Sequence, residues 1–407
     1  MMLPNNVSTL NASQTDARWL PLTSSMKPVS QEFGALLTAC ADQPDSIRLG
    51  HACSQLSGEQ WNRLLDLAHE HGVTALLYAA LTNIREDVPS SVAHELEIRY
   101  TTNVHKSLLQ ARELIRVLTA LQAAGVEAIP YKGLVLAELA YGDLAMRQAG
   151  DMDLLVRRSD LPRAQATARE LGYAPCLRLS AEELRRYLSV GYEISFDYGS
   201  QRNLLELKWG ILPDFYAVDF EMDAMFAAQT RGSFGGMEIH SLAQEDLFLV
   251  LCVHAAKHGW SNLIWLCDLS RLGKFALDWE RIADGAKRLG IARVVRVTIR
   301  LANQLLDAAI AAPPALDVSA DSAATRLVSA ITAQLSSGQV LSSESLAYYR
   351  LMIRLRERPV DRLRFVTRLA FTPGPNEWSA IKLWGPFTAL YRLVRVGRLA
   401  ARLVRSR

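Results

Sequence analysis

Two acidic residues with the spacing of a metal site stand where an apolar segment begins. Asp151 and Asp153 lie two residues apart and lead into Leu154, Leu155 and Val156. Because side chains alternate along a strand, residues i and i+2 share one face, so both carboxylates can bind the same divalent cations. An Asp-x-Asp pair also caps strands and turns in many proteins, and this structural interpretation stays open for the pair alone.

A third carboxylate, Glu206, lies within the segment 204–207, whose other residues are leucines. An acid on a strand built for burial is costly unless a cation or hydrogen bonds compensate it. Three carboxylates on adjacent strands can form a two-metal site, in which one ion binds a triphosphate and the other activates an attacking hydroxyl. We therefore predict that Asp151, Asp153 and Glu206 are catalytic residues and metal ligands, with two divalent ions expected.

A candidate phosphate-binding turn precedes these acids. Lys132 and Gly133 follow the short apolar segment 129–131. Glycine allows backbone N–H groups to approach a phosphate, and the lysine adds positive charge beside it. Arg147, four residues before Asp151, can neutralise phosphate or hold the carboxylates apart. We predict that all three bind nucleotide, with an ordinary strand-end turn and a solvated arginine as the alternatives.

Two histidines are spaced i, i+4 on a predicted helix. His254 and His258 could suggest zinc, but no H-E-x-x-H motif and no obvious third ligand accompany them. We instead predict that this helix end lines the active-site cleft, with Lys257 or His258 near phosphate. Histidines packed in the core are the alternative.

Local patterns predict the elements that position these residues. A capping-box spacing at Ser57–Gln60 starts a helix, and Gly125 ends a long helix that follows Pro89. A second capping-box spacing, at Ser241–Gln244, predicts a helix that runs past His254. Alternating apolar residues predict strands at 129–131, 152–156, 192–196 and 203–209. Helical periodicity or capping predicts further helices at 75–81, 134–141, 160–171, 263–275, 279–288 and 292–309.

These elements predict an α+β fold in which a small mixed β-sheet core is flanked by N-terminal and C-terminal helical regions. We expect six regions along the chain: a mobile arm at 1–30, a helical region at 31–125, the catalytic core at 126–240, a helical domain completing the cleft at 241–310, a linker at 311–325, and a basic helical region at 326–407.

Composition limits the class of protein. Among 407 residues, 50% are apolar and the net charge is +3, too small for nucleic-acid binding across the whole surface. Five cysteines without CxxC spacing indicate a reducing compartment. We expect no transmembrane segment and no secretory signal, hence a cytoplasmic protein. The arginine-rich segment 391–405 predicts an amphipathic helix packed on the body, with a peripheral membrane or nucleic-acid contact as the alternative.

Several short segments also occur together in a recognisable order. They are Lys132-Gly133, Tyr141-Gly142-Asp143, Arg147, Asp151-Met152-Asp153-Leu154-Leu155-Val156, Gly172-Tyr173, Leu205-Glu206-Leu207-Lys208-Trp209, and His254 to Trp260 with Leu266 to Leu269. With the helical lead-in around Trp61 and His71, they resemble the uncharacterised nucleotidyltransferase family of the DNA polymerase β superfamily over most of residues 55–300. Lys208 departs from the family pattern, which more often has histidine there, and Pro130 is unusual in a central strand.

The resemblance implies that Asp151, Asp153 and Glu206 hold Mg²⁺ and that Lys132, Gly133 and Arg147 serve the nucleotide. The expected activity is Mg²⁺-dependent transfer of a nucleoside monophosphate from an NTP to a hydroxyl-bearing acceptor, with release of pyrophosphate. The acceptor stays open: a small molecule, a peptide or a tRNA. The alternatives are a toxin-type nucleotidyltransferase that modifies protein or tRNA, and a non-catalytic nucleotide-binding regulatory protein.

Overall fold

The computed structural model describes residues 29–372 and 397, apart from residue 149 and the segments 178–180, 200–203, 318, 320, 339–340 and 343–344. The predicted N-terminal arm and the basic segment 391–405 lie almost entirely outside the described residues. The membrane or nucleic-acid contact considered for that basic segment therefore stays a prediction.

A mixed five-stranded sheet flanked by helices confirms the predicted α+β fold. Its strands, in chain order, are β1 Ala128–Pro130, β2 Met152–Val156, β3 Ala174–Pro175, β4 Glu193–Asp197 and β5 Leu205–Lys208. In space the order is β1-β2-β5-β4-β3, and β2 and β5 are parallel while the other pairs are antiparallel. Pro130 belongs to β1, which is an edge strand of this sheet, the position within sheets at which proline is tolerated.

A second, two-stranded sheet was not among the predicted elements. It consists of β6 Thr230–Phe234 and β7 Met237–Ser241, which form an antiparallel hairpin. Gly235 and Gly236 connect them with φ values of 55° and 81°, the left-handed conformations that tight hairpin turns require. The Gly-Gly pair between alternating residues was the sequence signal for this hairpin.

Helices precede the sheet, as predicted. They are α1 Gln31–Cys40, α2 Ser46–Ser54, α3 Gly58–Glu70, α4 Thr74–Thr82 and α5 Ser90–Ala123. The capping box predicted at Ser57 and Gln60 is confirmed, because each side chain accepts a hydrogen bond from the backbone N–H of the other residue. These two contacts satisfy donors that the first turn of α3 leaves free.

Four shorter helices connect the strands: α6 Gly133–Tyr141, α7 Leu161–Glu170, α8 Ala181–Val190 and α9 Met222–Ala227. Gly142 ends α6 in a left-handed conformation, with φ 69°. Asp160 precedes α7 at the predicted N-cap, but its side chain bonds to Arg163 and makes no capping hydrogen bond.

Seven helices follow the hairpin in the described part of the chain. They are α10 Gln244–Lys257, α11 Leu263–Leu272, α12 Trp279–Leu289, α13 Ala292–Leu306, α14 Ser322–Ser337, α15 Leu346–Arg354 and α16 Pro359–Phe371. The capping box predicted at Ser241 is wrong. Ser241 ends β7, where it pairs with Thr230, and Ala243 occupies the N-cap position of α10 without a side-chain hydrogen bond.

The buried apolar residues form two clusters on opposite faces of the main sheet. The larger cluster runs from Phe33 to Leu369 and includes Leu155, so helices from before and after the sheet pack into one core. The smaller cluster lies between α5, α7 and the other face of the sheet. The predicted linker at 311–325 joins the larger core through Leu316. No described helix is both long and apolar enough to cross a membrane.

Candidate active site

The polar site residues lie on one face of the main sheet because of strand alternation. Met152, Leu154, Leu205 and Leu207 point into the smaller core. The residues between them therefore point to the opposite face. In the parallel pair of β2 and β5, Asp153 lies directly beside Glu206. The structure thus brings these two predicted catalytic acids together on neighbouring strands.

Lys208 lies at the centre of the acidic group. Its Nζ atom is 3.0 Å from Asp153 Oδ1, 2.7 Å from Glu206 Oε2 and 2.6 Å from Glu193 Oε2. Glu193 is the antiparallel partner of Lys208 in β4. Three neighbouring strands thus contribute carboxylates to one ammonium group, which we call the Lys208 cluster: Lys208, Asp153, Glu193 and Glu206.

A second ammonium group reaches the same aspartate. Lys132 Nζ lies 3.0 Å from Asp153 Oδ1. Burial opposes ionisation of Asp153, yet Lys132 and Lys208 lower the pKa of its carboxyl group well below the usual value. Burial also opposes the charge of Lys208, but Asp153 and the other surrounding acids raise its pKa. Both groups are therefore charged at neutral pH.

Gly133 is the first residue of α6, directly after Lys132. Its φ of 63° lies in the left-handed region, and a Cβ atom there would be 3.2 Å from the carbonyl oxygen of Asp151. Only glycine adopts this conformation without strain, and its lack of a side chain allows the start of α6 to approach the strand that carries the acids. The Lys-Gly turn is therefore packed against the candidate metal ligands.

The end of α10 forms the opposite side of the site. Lys257 Nζ is 3.4 Å from the Tyr192 hydroxyl group and lies over that ring at 5.4 Å from its centroid. No carboxylate is within ion-pair distance of Lys257 in the part of the chain that the structure describes. Burial lowers the pKa of Lys257 to about 8. This is a partly buried cation whose charge is still available to an anionic ligand.

His254 and His258 pack against each other and against Trp265. The ring centroids of His254 and His258 are 4.8 Å apart, and Trp265 lies 5.4 Å and 5.0 Å from them, respectively. Burial, with Lys257 nearby, lowers the pKa of His258 to about 4, so its ring is neutral at pH 7. Burial also lowers the pKa of His254, so both histidines line the cavity as neutral rings rather than cations.

One cavity joins these groups. It has a volume of about 180 Å³ and is lined by acids from the sheet and by basic residues and histidines from α10 and the Lys-Gly turn. Its polar lining residues are Tyr131, Lys132, Asp151, Asp153, Glu193, Glu206, Lys208, His254, Lys257 and His258. Of the eight predicted site residues, the cavity thus includes all but Gly133 and Arg147.

Arg147 takes part in a buried ion pair instead. Its Nε atom lies 3.0 Å and 3.1 Å from the two carboxylate oxygens of Asp268, and the Tyr141 hydroxyl group donates to the same carboxylate at 2.9 Å. The side chains of Arg147 and Asp268 are 8% and 1% exposed. Because the charge of Arg147 is already neutralised within the protein, the structure offers no direct contact to phosphate from this residue.

The acids fit one divalent ion better than the expected two. Carboxylate oxygens are suitable Mg²⁺ ligands, and the exposed Asp151 lines the cavity together with the buried Asp153. Lys208, however, occupies the space that Asp153 and Glu206 would share around a second ion. Within the described ranges, no group of three or more His, Cys, Asp or Glu side chains has the arrangement of a metal site.

Sequence reasoning missed Glu193 and the central position of Lys208. Glu193 alternates with apolar residues in β4, which was the available sequence signal for a side chain on the polar face. The register that places it opposite Lys208 depends on pairing between separate segments. Tyr192, which contacts Lys257, was missed for the same reason.

Acids on a sheet that face cationic side chains across one cavity are suited to enzymes that act on phosphate groups. A family model described as an uncharacterised nucleotidyltransferase matches residues 57–307, which is more than half of the chain. The chain belongs to this family, and it is a nucleotidyltransferase. No curated protein and no solved structure matches it.

Proposed function

We propose that this chain transfers a nucleoside monophosphate from an NTP to a hydroxyl-bearing acceptor and releases pyrophosphate. The observation that carries the proposal is the shared cavity, in which sheet carboxylates face Lys132 and Lys257. Acids suit a metal-bound nucleotide and an attacking hydroxyl, whereas the cations suit the triphosphate. Both requirements of nucleotidyl transfer are thus present within one site.

Cavity size favours the triphosphate as the enclosed part of the nucleotide. A volume of about 180 Å³ is smaller than the ~300–1,000 Å³ typical of pockets that bury whole ligands. The triphosphate would lie between Lys132 and Lys257, and the nucleoside would extend towards the exposed His258. Lys257 is the best placed anion-binding group because it lacks a carboxylate partner among the described residues.

Mg²⁺ is the proposed cofactor, held by Asp151 and Asp153, and when bound it supplies charge that neutralises the triphosphate. In the transfer step, the acceptor oxygen forms a bond to the α-phosphorus as the bond to the pyrophosphate oxygen breaks. Glu206 is suited to accept the proton of the hydroxyl group, because it lies beside Asp153 and lines the cavity. Lys132 and Lys257 would hold the departing pyrophosphate.

The test is a labelling experiment with the purified protein. Each of the four α-³²P-labelled NTPs is incubated with Mg²⁺, cell extract and wild type, Asp153→Asn or Asp197→Asn. Asp197 is the matched control, since it belongs to β4 but does not line the cavity. Asp153→Asn is expected to lower labelling by about 100-fold or more, equivalent to ~2.7 kcal/mol, whereas Asp197→Asn keeps it.

Equal labelling by wild type and Asp153→Asn would contradict the assigned site. Absence of acceptor labelling and of pyrophosphate release with every NTP would contradict the proposed reaction. The size and nuclease or protease sensitivity of the labelled product identify the acceptor class. A labelled protein or tRNA would indicate a toxin-type enzyme, and a labelled small molecule would indicate metabolite modification.

A further inference from the structure

The position of Lys208 is the starting observation. Carboxylates that come close together on a sheet repel one another unless a cation lies between them. In the Lys208 cluster that cation belongs to the protein: Lys208 Nζ contacts one oxygen each of Asp153, Glu193 and Glu206 within 3.0 Å. An ammonium group has three N–H donors, so its capacity matches this number of acceptors.

The ammonium group is held firmly in place. Lys208 is 5% exposed, and its strand is paired on both sides, with β2 through Leu155 and with β4 through Glu193. Tyr192 covers the amine from the side of α10, at 5.7 Å from its ring centroid. A divalent ion could use the same oxygens only if this side chain left a buried position that is enclosed by three acids.

Charge balance leads to the same conclusion. The cluster holds three carboxylates and Asp151 adds a fourth at the same cavity, and Lys132 and Lys208 together neutralise two of these four charges. A single divalent ion at Asp151 and Asp153 would complete the neutralisation of the acidic face. A second divalent ion at the Glu206 side would lie against the Lys208 ammonium group, and repulsion between the two cations would oppose its binding.

We propose that Lys208 is a resident cation that takes the place of one of the two divalent ions expected for this site. The chain then binds one divalent ion, on the Asp151 side of the cavity. The inference deepens the proposed function and rests on it for the nature of the bound substrate. The number of bound ions is measured without turnover. A wrong inference about Lys208 can therefore be distinguished from a wrong proposal about the reaction.

The experiment counts Mn²⁺ ions bound per chain by electron paramagnetic resonance. Titrations are made with the full chain, with and without an NTP analogue whose α,β-bridging oxygen is replaced by methylene. Wild type is expected to bind one ion per chain. Lys208→Met, whose unbranched side chain is one heavy atom shorter and carries no charge, should bind one ion more than wild type does. The matched variant Lys208→Arg keeps the charge and should not gain an ion.

Two tightly bound Mn²⁺ ions per wild-type chain would overturn the proposal, and so would equal ion counts for wild type and a folded Lys208→Met. Loss of Lys208 leaves three acids close together, and circular dichroism therefore checks the fold of each variant. The wild-type count decides the question even if Lys208→Met does not fold. The labelling experiment tests the proposed reaction independently, since a chain with one ion can still fail to transfer nucleotide.

Discussion

The buried pair of Arg147 and Asp268 allows a direct test of whether Arg147 stabilises the fold or binds nucleotide. Replacing Asp268 with leucine removes both acceptors of the Arg147 Nε atom and the acceptor of the Tyr141 hydroxyl group. The guanidinium group would then be left in a position where the side chain is 8% exposed. An unpaired charge of this kind is among the most costly defects in a protein interior.

The expected loss follows from these contacts. Breaking a buried ion pair by removing one partner costs about 3–5 kcal/mol, and the Tyr141 hydrogen bond adds about 1 kcal/mol. For a chain of this size the midpoint of thermal unfolding should fall by roughly 5–10 °C. Replacing both partners, as in Arg147→Met with Asp268→Leu, removes the unpaired charge. The double variant should therefore lose less stability than Asp268→Leu alone.

The double-mutant cycle has four proteins: wild type, Arg147→Met, Asp268→Leu and the double variant. Thermal unfolding followed by circular dichroism measures their stability, and fluorescence anisotropy with a labelled NTP measures their nucleotide affinity. We expect Arg147→Met to bind nucleotide as wild type does, because its guanidinium group is already neutralised by Asp268. A loss below about 1 kcal/mol for Asp268→Leu, or strictly additive losses in the double variant, would refute the reasoning about burial. If a folded Arg147→Met bound nucleotide tenfold more weakly than wild type, this result would instead support the sequence-based prediction that Arg147 contacts phosphate.

Two further outcomes follow from the site. Lys257 must be protonated to bind a phosphate, and its pKa of about 8 means that nucleotide affinity should fall as pH rises above 8, by up to about tenfold per unit. Anisotropy titrations at pH values below and above 8 check this pH dependence. Lys257→Arg should keep tight binding to higher pH, and the same pH profile for both proteins would argue against Lys257 as the titrating group. Gly133→Ala should lower stability by about 1–2 kcal/mol, because of its φ of 63° and the close Asp151 carbonyl oxygen. Gly58→Ala, which meets no atom within 4 Å, is the control in chemical denaturation, and similar losses in both would contradict the explanation.

Local chemistry explains the elements that the sequence predicted well. The reciprocal capping at Ser57 and Gln60, and the left-handed glycine at Gly142, depend on residues within a few positions of one another. The same capping spacing at Ser241 did not produce a helix cap, because Ser241 is the last residue of β7 and pairs with Thr230 of β6. A serine can cap a helix or end a strand, and the choice depends on a partner strand that the local pattern does not include.

The sequence by itself determined which residues are acidic or basic and, through the period of two in β2 and β5, that Asp153 and Glu206 lie on the polar faces of their strands. Tertiary structure decided which charges meet. Strand order and register placed Lys208 among Asp153, Glu206 and Glu193, and helix packing paired Arg147 with Asp268. Alternation is a property of each strand's own backbone, whereas register and ion pairing depend on contacts between residues distant in sequence. The charge at the centre of the site therefore became visible only when the strands were assembled.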